Sequence, residues 1–395
     1  MGGIMDLTEE VIRKARELGA DLVGIAPVER FKGAPLRMSP PGLLPEAKSV
    51  VVAAIHHLDA SVELGGEPTP HDMGPYGSQS SVINPKLNDI SFLLARFLED
   101  KGYKTLPIAA SNIWRYHGYK DLKVDFAPDL AHRYAAVAAG MGEIGWSGLT
   151  LTPEFGPRQR FVSIITEADL KPSSMYSGNP LCDKCMMCVK NCPTDCFRKE
   201  VKKQNKIEIG GKIFEFPDTN KWRCSWAENF CLNLALQIPE KVNESVILAY
   251  HEKYGMHTGE EGCCLKFCMV PEKRVSDLSY CRAPRRKKEK LIASPEDLAD
   301  KIKNICRENS IDMFAVGKKE DFDNDAHVHP EYHLPDIVAL VSIGIKIPSG
   351  ANSEVTASIY RRLNYTAFEI AHFLDINGYS AITGTKIFDD LYETH

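Results

Sequence analysis

The stretch LCDKCMMCVKNCPTDCF, residues 181–197, constrains this chain more than any other. Cys182, Cys185, Cys188 and Cys192, the last followed by Pro193, have the spacing C-x2-C-x2-C-x3-C-P. Thiols so spaced share a tight loop, and the first three converge on corners of one [4Fe-4S] cube. The fourth points into the helix that the proline opens and serves a neighbouring cluster. Zinc sites instead pair C-x2-C with a second C-x2-C or with two histidines. The pattern therefore points to iron–sulfur chemistry and requires a second cysteine set downstream.

That set is present but irregular. Cys224 lies in KWRCSW, Cys231 in NFCLN, and Cys263, Cys264 and Cys268 in EGCCLKFCMVP. By the crossing rule Cys268 joins Cys182, Cys185 and Cys188. The second cluster then takes Cys192, Cys224, Cys264 and either Cys263 or Cys231. Side chains of the adjacent Cys263 and Cys264 diverge, so the fourth ligand stays open. Cys196, Cys281 and Cys306 read as small buried packing residues.

Composition agrees with a redox protein of two or three domains. The chain has 395 residues, 44% apolar and 26% charged, with a formal net charge of −5, so no global basic field points to nucleic acid. The basic run RAPRRKKEKL, 282–291, reads as a solvated linker. No apolar run is long enough to span a membrane. The first residues, MGGIMDLTEEVIRKARELG, carry charge on a helical period and no export signal. A cytoplasmic protein is expected, since cysteine-ligated clusters suit a reducing compartment.

Along the chain, residues 6–19 read as an amphipathic helix with Thr8 as N-cap and Gly19 as stop. ADLVGIAP and SVVVAAIHH read as buried strands, and LNDISFLLARFLEDKGY as a long helix. The C-terminal part echoes this order. Residues 308–322 resemble 18–31, 334–347 resemble 44–57, and 366–382 resemble 90–106. The expected organisation is residues 1–171, residues 172–285 around the cysteines, and residues 286–395 as a degenerate partial repeat of the N-terminal unit.

Between the repeat-like elements and the cysteines lies VDFAPDLAHRYAAVAAGMGEIGWSGLTLTPEFGPR, residues 124–158. Its glycines, Gly140, Gly142, Gly145 and Gly148, let main chain approach a large flat ligand. The G-x-G-x-x-G match is weak evidence for a dinucleotide, because a helix precedes it and not a strand. The run A-G-M-G-E-I-G-x-x-G-L-x-L-T-P-E-F-G-P-R, followed by the cysteine motifs, resembles the cobalamin-dependent iron–sulfur reductases. That superfamily contains the reductive dehalogenases and the epoxyqueuosine reductases, and the resemblance covers roughly residues 10–275.

The resemblance implies an α+β fold with a nitroreductase-like corrinoid-binding domain and a ferredoxin-type 2[4Fe-4S] domain, which the C-terminal repeat read above follows. It implies base-off cobalamin held by Arg133, Gly140, Met141, Gly142, Glu143, Gly145, Trp146, Ser147, Gly148, Thr150, Thr152 and Gly156. The clusters would pass low-potential electrons to it for cleavage of a C–X or C–O bond in a small molecule. A ferredoxin or flavodoxin would be the donor, no membrane or nucleic acid would take part, and a homodimer is compatible with the pattern. Asp125 in VDFAP matches the general acid of the epoxyqueuosine reductases, with helix capping as its structural alternative. The acid of the dehalogenases is a tyrosine, for which Tyr116 and Tyr119 are the candidates. The chain departs from both branches: Glu143 and Ser147 differ from the epoxyqueuosine pattern, and the twin-arginine signal of respiratory dehalogenases is not seen. A non-catalytic two-cluster electron carrier, or a corrinoid-reactivating protein, is the alternative.

Overall fold

A computed structural model describes residues 6–64, 79–114, 126–231, 236–255, 262–292, 294–322 and 330–383. The chain is mixed α/β. It divides into two compact units, Met1–His56 with Ile83–Arg274, and His57–Val82 with Val275–His395. Both are discontinuous in sequence.

The first unit is built on a four-stranded antiparallel sheet. Its strands are β1 (Leu22–Pro27), β2 (Ser49–His56), β3 (Thr105–Pro107) and β6 (Gln159–Thr166), in the order β1-β2-β6-β3. All of SVVVAAIH in β2 is buried, which an alternating strand with one wet face would not allow. The pleat explains this. Val50, Val52 and Ala54 face the alanines of helix α3 (His132–Ala138). The intervening residues face the other side of the sheet, where α1 (Leu7–Glu17) and α2 (Asn84–Glu99) also pack on its strands. Helix α1 begins one residue after Asp6, so Thr8 lies inside it and is not the cap. The Thr8 hydroxyl instead accepts from the Lys171 N–H at 3.0 Å.

After α3 the chain makes a small antiparallel hairpin, β4 (Glu143–Ile144) with β5 (Thr150–Leu151), which holds the glycine-rich segment. A second hairpin, β7 (Gln204–Ile209) with β8 (Lys212–Pro217), follows the first cysteine loop. The helices α4 (Met187–Lys190), α5 (Lys221–Trp226) and α6 (Cys263–Lys266) carry or border cysteines.

The second unit contains α7 (Pro295–Glu308), an antiparallel ribbon of β9 (Met313–Lys318) and β10 (Ala339–Gly344), and α8 (Ser353–Ile376). Ile302, Cys306 and Ile370 are buried together, with Phe314, Val341 and Phe373 packed around them. The order helix–strand–strand–helix parallels α1, β1, β2 and α2. Unlike β2, the ribbon is not buried: Met313 is 61% and Val316 53% exposed. The basic run is no solvated linker either. Arg286 and Lys288 each bridge Asp59 and Asp375, two fully buried carboxylates, at 2.5–3.2 Å.

Among the described residues no helix is long and apolar enough to cross a membrane.

Candidate metal and cofactor site

The first cysteine loop owes its shape to unusual backbone. Lys184 and Met186, between the cysteines, both have left-handed φ values, 53° and 64°. Two such residues curl the chain tightly enough to aim successive side chains inward. Cys182, Cys185 and Cys188 line one cavity, and Cys268 joins them from the segment after α6. The grouping expected for the first cluster is thus assembled in space.

Its electrostatics suit a cationic metal centre. Burial pushes the Cys188 thiol up to about 11, helped by Cys182 and Cys185. Burial likewise pushes Cys268 up to about 12, with Cys188, Cys182 and Cys185 adding to it. Cys188 and Cys268 so placed become thiolates readily only when a metal supplies the compensating charge.

Three contacts fix this cavity, and none was read from the sequence. Asp183 takes a two-pronged hydrogen bond from the Arg274 guanidinium, at 2.8 and 3.1 Å, and Arg274 also donates to the Met269 carbonyl. The pair ties the loop of Cys182–Cys188 to that of Cys268, and the guanidinium holds the Asp183 carboxyl below its usual range. The Trp146 N–H donates to Cys182 Sγ at 3.3 Å, joining the glycine hairpin to the thiols. Glu143 accepts from the Leu181 N–H at 3.3 Å and pairs with Lys212 of β8 at 3.7 Å. An aspartate after a cysteine gives no sequence signal of this kind; only the fold brings Arg274 to it.

Beside the thiol cavity is an open groove of about 310 Å³, lined by Glu143, Ile144, Trp146, Cys182, Lys184 and the β8 residues 212–215. The two hollows share Trp146, Cys182 and Lys184, and the Lys184 ammonium lies 5.2 Å from the centre of the Trp146 ring. Of the residues expected to hold a corrinoid, Glu143 and Trp146 line this groove. Met141, Ser147, Thr150 and Thr152 are buried in the protein. Arg133 donates to the Gly148 carbonyl at 2.7 Å, and Thr150 to the Arg133 carbonyl at 2.8 Å. Gly156 pairs with Thr152 across an isolated bridge. Gly140 and Gly142 have a packing reason to be glycine. A Cβ on Gly140 would lie 2.0 Å from the Ser174 carbonyl oxygen, and one on Gly142 1.8 Å from that of Leu151. The Gly145 position faces the Leu151 side chain. Asp125, Tyr116 and Tyr119 lie outside the described residues, as does the Cys231 side chain.

The second thiol set also gathers. Cys192 and Cys264 pack against a buried group containing Cys188, Val189, Cys196 and Phe197. Cys196, read from the sequence as a packing residue, is hydrogen-bonded to Cys192 and Cys224. Cys306 does pack among apolar side chains.

No family model matches the chain. A tetrachloroethene reductive dehalogenase of Dehalobacter restrictus is 33% identical over 103 residues, 24% of this chain and 19% of that protein. Its counterpart in Sulfurospirillum multivorans is 29% identical over 99 residues, 24% of this chain and 20% of that protein. The chain thus spans about a fifth of the length of these relatives. An epoxyqueuosine reductase structure from Streptococcus thermophilus aligns at TM-score 0.42 and 18% identity, over 81% of this chain and 75% of that one. An epoxyqueuosine reductase solved with a modified tRNA-Tyr stem loop aligns at TM-score 0.35 and 21% identity, over 48% and 52%. The expectation that nucleic acid plays no part gains no support from these relatives. Over about a quarter of its length, the chain is similar in sequence to tetrachloroethene reductive dehalogenases.

Proposed function

We propose that this chain is a cobalamin- and iron–sulfur-dependent reductase that cleaves a C–X or C–O bond in a small molecule. The observation that carries the reading is the adjacency of the two hollows: a four-thiol cavity and an open groove share Trp146, Cys182 and Lys184. When bound, the clusters supply low-potential electrons and base-off cobalamin supplies a cobalt centre reducible enough to use them. Cys182, Cys185, Cys188 and Cys268 would hold the first cluster. The Trp146 N–H on Cys182 Sγ and the nearby Arg274 stabilise negative charge on the sulfurs, which raises the potential of a cluster held there. Trp146 and Glu143 would wall the corrinoid side, while Lys184 places a cation at the junction. Asp125, with Tyr116 and Tyr119 as alternatives, would donate the proton. A low-potential donor protein would feed the second cluster.

Anaerobic reconstitution with iron, sulfide and cobalamin tests this reading. It predicts about eight irons per chain and the spectral shift of cobalamin to its base-off form. Zinc in place of iron at the first thiol set, or tight flavin binding with indifference to cobalamin, overturns it. Incubation of the loaded protein with halogenated aromatics, halogenated alkenes or epoxyqueuosine-containing tRNA then sorts the substrate class.

A further inference from the structure

We infer that Cys196 is a ligand of the second metal centre, completing the set Cys192, Cys224 and Cys264 in place of Cys263 or Cys231. The inference rests on the two-cluster reading above and names a residue that the C-x2-C-x2-C-x3-C spacing does not include.

Cys196 follows Cys192 by four residues, and Asp195 between them has a left-handed φ of 51°. This turn folds the chain back, so that the two Sγ atoms are 3.5 Å apart. The Cys196 N–H donates to Cys192 Sγ at 3.4 Å, and the Thr194 hydroxyl lies 3.7 Å from the same sulfur. Cys196 is hydrogen-bonded to Cys224 as well. It is therefore the central member of a three-thiol group, although it is only 3% exposed. Cys196 does pack with Val189 and Phe197, but apolar packing by itself does not gather thiols. A cysteine placed between two other thiols meets the geometry of a metal ligand.

The fourth ligand follows from helix geometry. Cys263 and Cys264 both lie in α6, and neighbouring residues on a helix do not face the same way. Cys264 packs against the group that contains Cys196, which turns Cys263 aside. At 3.5 Å the Cys192 and Cys196 sulfurs are also close enough to sit on one tetrahedral ion, since Zn–S bonds of about 2.3 Å put thiolates roughly 3.8 Å apart. The test must therefore identify the metal as well as the ligands.

The experiment compares Cys196→Ser, Cys196→Ala, Cys263→Ala and Cys192→Ala with the unaltered protein after anaerobic reconstitution. Iron and zinc analysis and low-temperature EPR of the dithionite-reduced samples are the readouts. Under the inference, Cys196→Ala and Cys192→Ala each fall from about eight to about four irons and keep the EPR signal of the first cluster. That retained signal also reports that the variants have folded. Cys196→Ser, with its oxygen ligand, alters or weakens the second signal alone, and Cys263→Ala matches the unaltered protein. Full iron and both signals in Cys196→Ala overturn the assignment while leaving the two-cluster reading intact. Only four irons in the unaltered protein, or zinc displaced from it by Cys196→Ala, overturn the two-cluster reading itself.

Discussion

Single residues decide how firmly the candidate site is held, and two of them yield measurable expectations. Asp183 and Arg274 clamp the two cysteine segments through a forked hydrogen bond. Because the pair is partly exposed, its contribution to global stability is small. Its effect should appear locally. Asp183→Asn should lose iron several-fold faster under a chelator, with an unfolding midpoint close to that of the parent. Equal rates of iron loss would show that the clamp is incidental. His132 contributes in a different way. Its ring nitrogens lie 2.8 Å from the Ser163 hydroxyl and 2.9 Å from the Ala109 carbonyl. Burial pushes it down to about 4 from 6.5, with the Ala109 carbonyl opposing in part. The folded state therefore binds this proton less readily than the unfolded chain does. Its stabilisation is fully present above pH 6.5 and is lost as pH falls from 6.5 through about 4. His132→Gln should flatten that limb in urea titrations at about pH 7 and about pH 4.5; an unchanged slope would remove His132 as its cause. At this scale the sequence disclosed the thiols of the first set, because their spacing is itself geometry. Cys196 was hidden, since an i, i+4 pair is ordinary in a helix, and only the left-handed Asp195 turns it toward Cys192 and Cys224.

Elements show where sequence reading gains and loses. SVVVAAIH and LNDISFLLARFLE were legible because their apolar content leaves few alternatives. The glycine segment was legible as special but not in its reason. Gly140 and Gly142 sit where the hairpin β4–β5 and residue Ser174 press main chain against main chain, so close approach within the protein accounts for both. A prediction follows. Gly142→Val places a side chain on the Leu151 carbonyl and should cost at least about 3 kcal/mol, the upper end of ordinary overpacking. Denaturant unfolding of the unloaded protein checks it. Loss of cofactor binding in that variant would then report a broken hairpin, whereas Trp146→Leu probes the groove wall without touching the glycines. If Gly142→Val unfolds at the parent's midpoint, the hairpin is more pliant than this packing allows.

At the scale of the whole molecule, the discontinuity of the units matters most. Cuts at residues 171 and 285 follow the motifs, yet residues 57–82 cluster with 275–395, a pairing that no local pattern announces. Its chemical expression is a buried charge network within the second unit. Asp59 and Asp375 have fully buried side chains, and Arg286 and Lys288 are 10% and 11% exposed. Glu63 accepts from the Arg286 N–H at 3.0 Å and faces the Arg285 guanidinium at 3.5 Å. The run RAPRRKKEKL looked like a solvated linker because charge density alone does not say which side chains turn inward. Breaking a buried pair by removing one partner is costly, because the remaining charge keeps its desolvation penalty. Arg286→Met should therefore destabilise the protein by about 3 kcal/mol, the lower end for such pairs because Lys288 still serves both carboxylates. The matched surface change Lys287→Met should stay within about 0.5 kcal/mol. Urea unfolding of the two variants side by side separates them. Equal midpoints would mean that the network is solvated in solution, and that residues 57–82 are held to 275–395 by their apolar contacts instead.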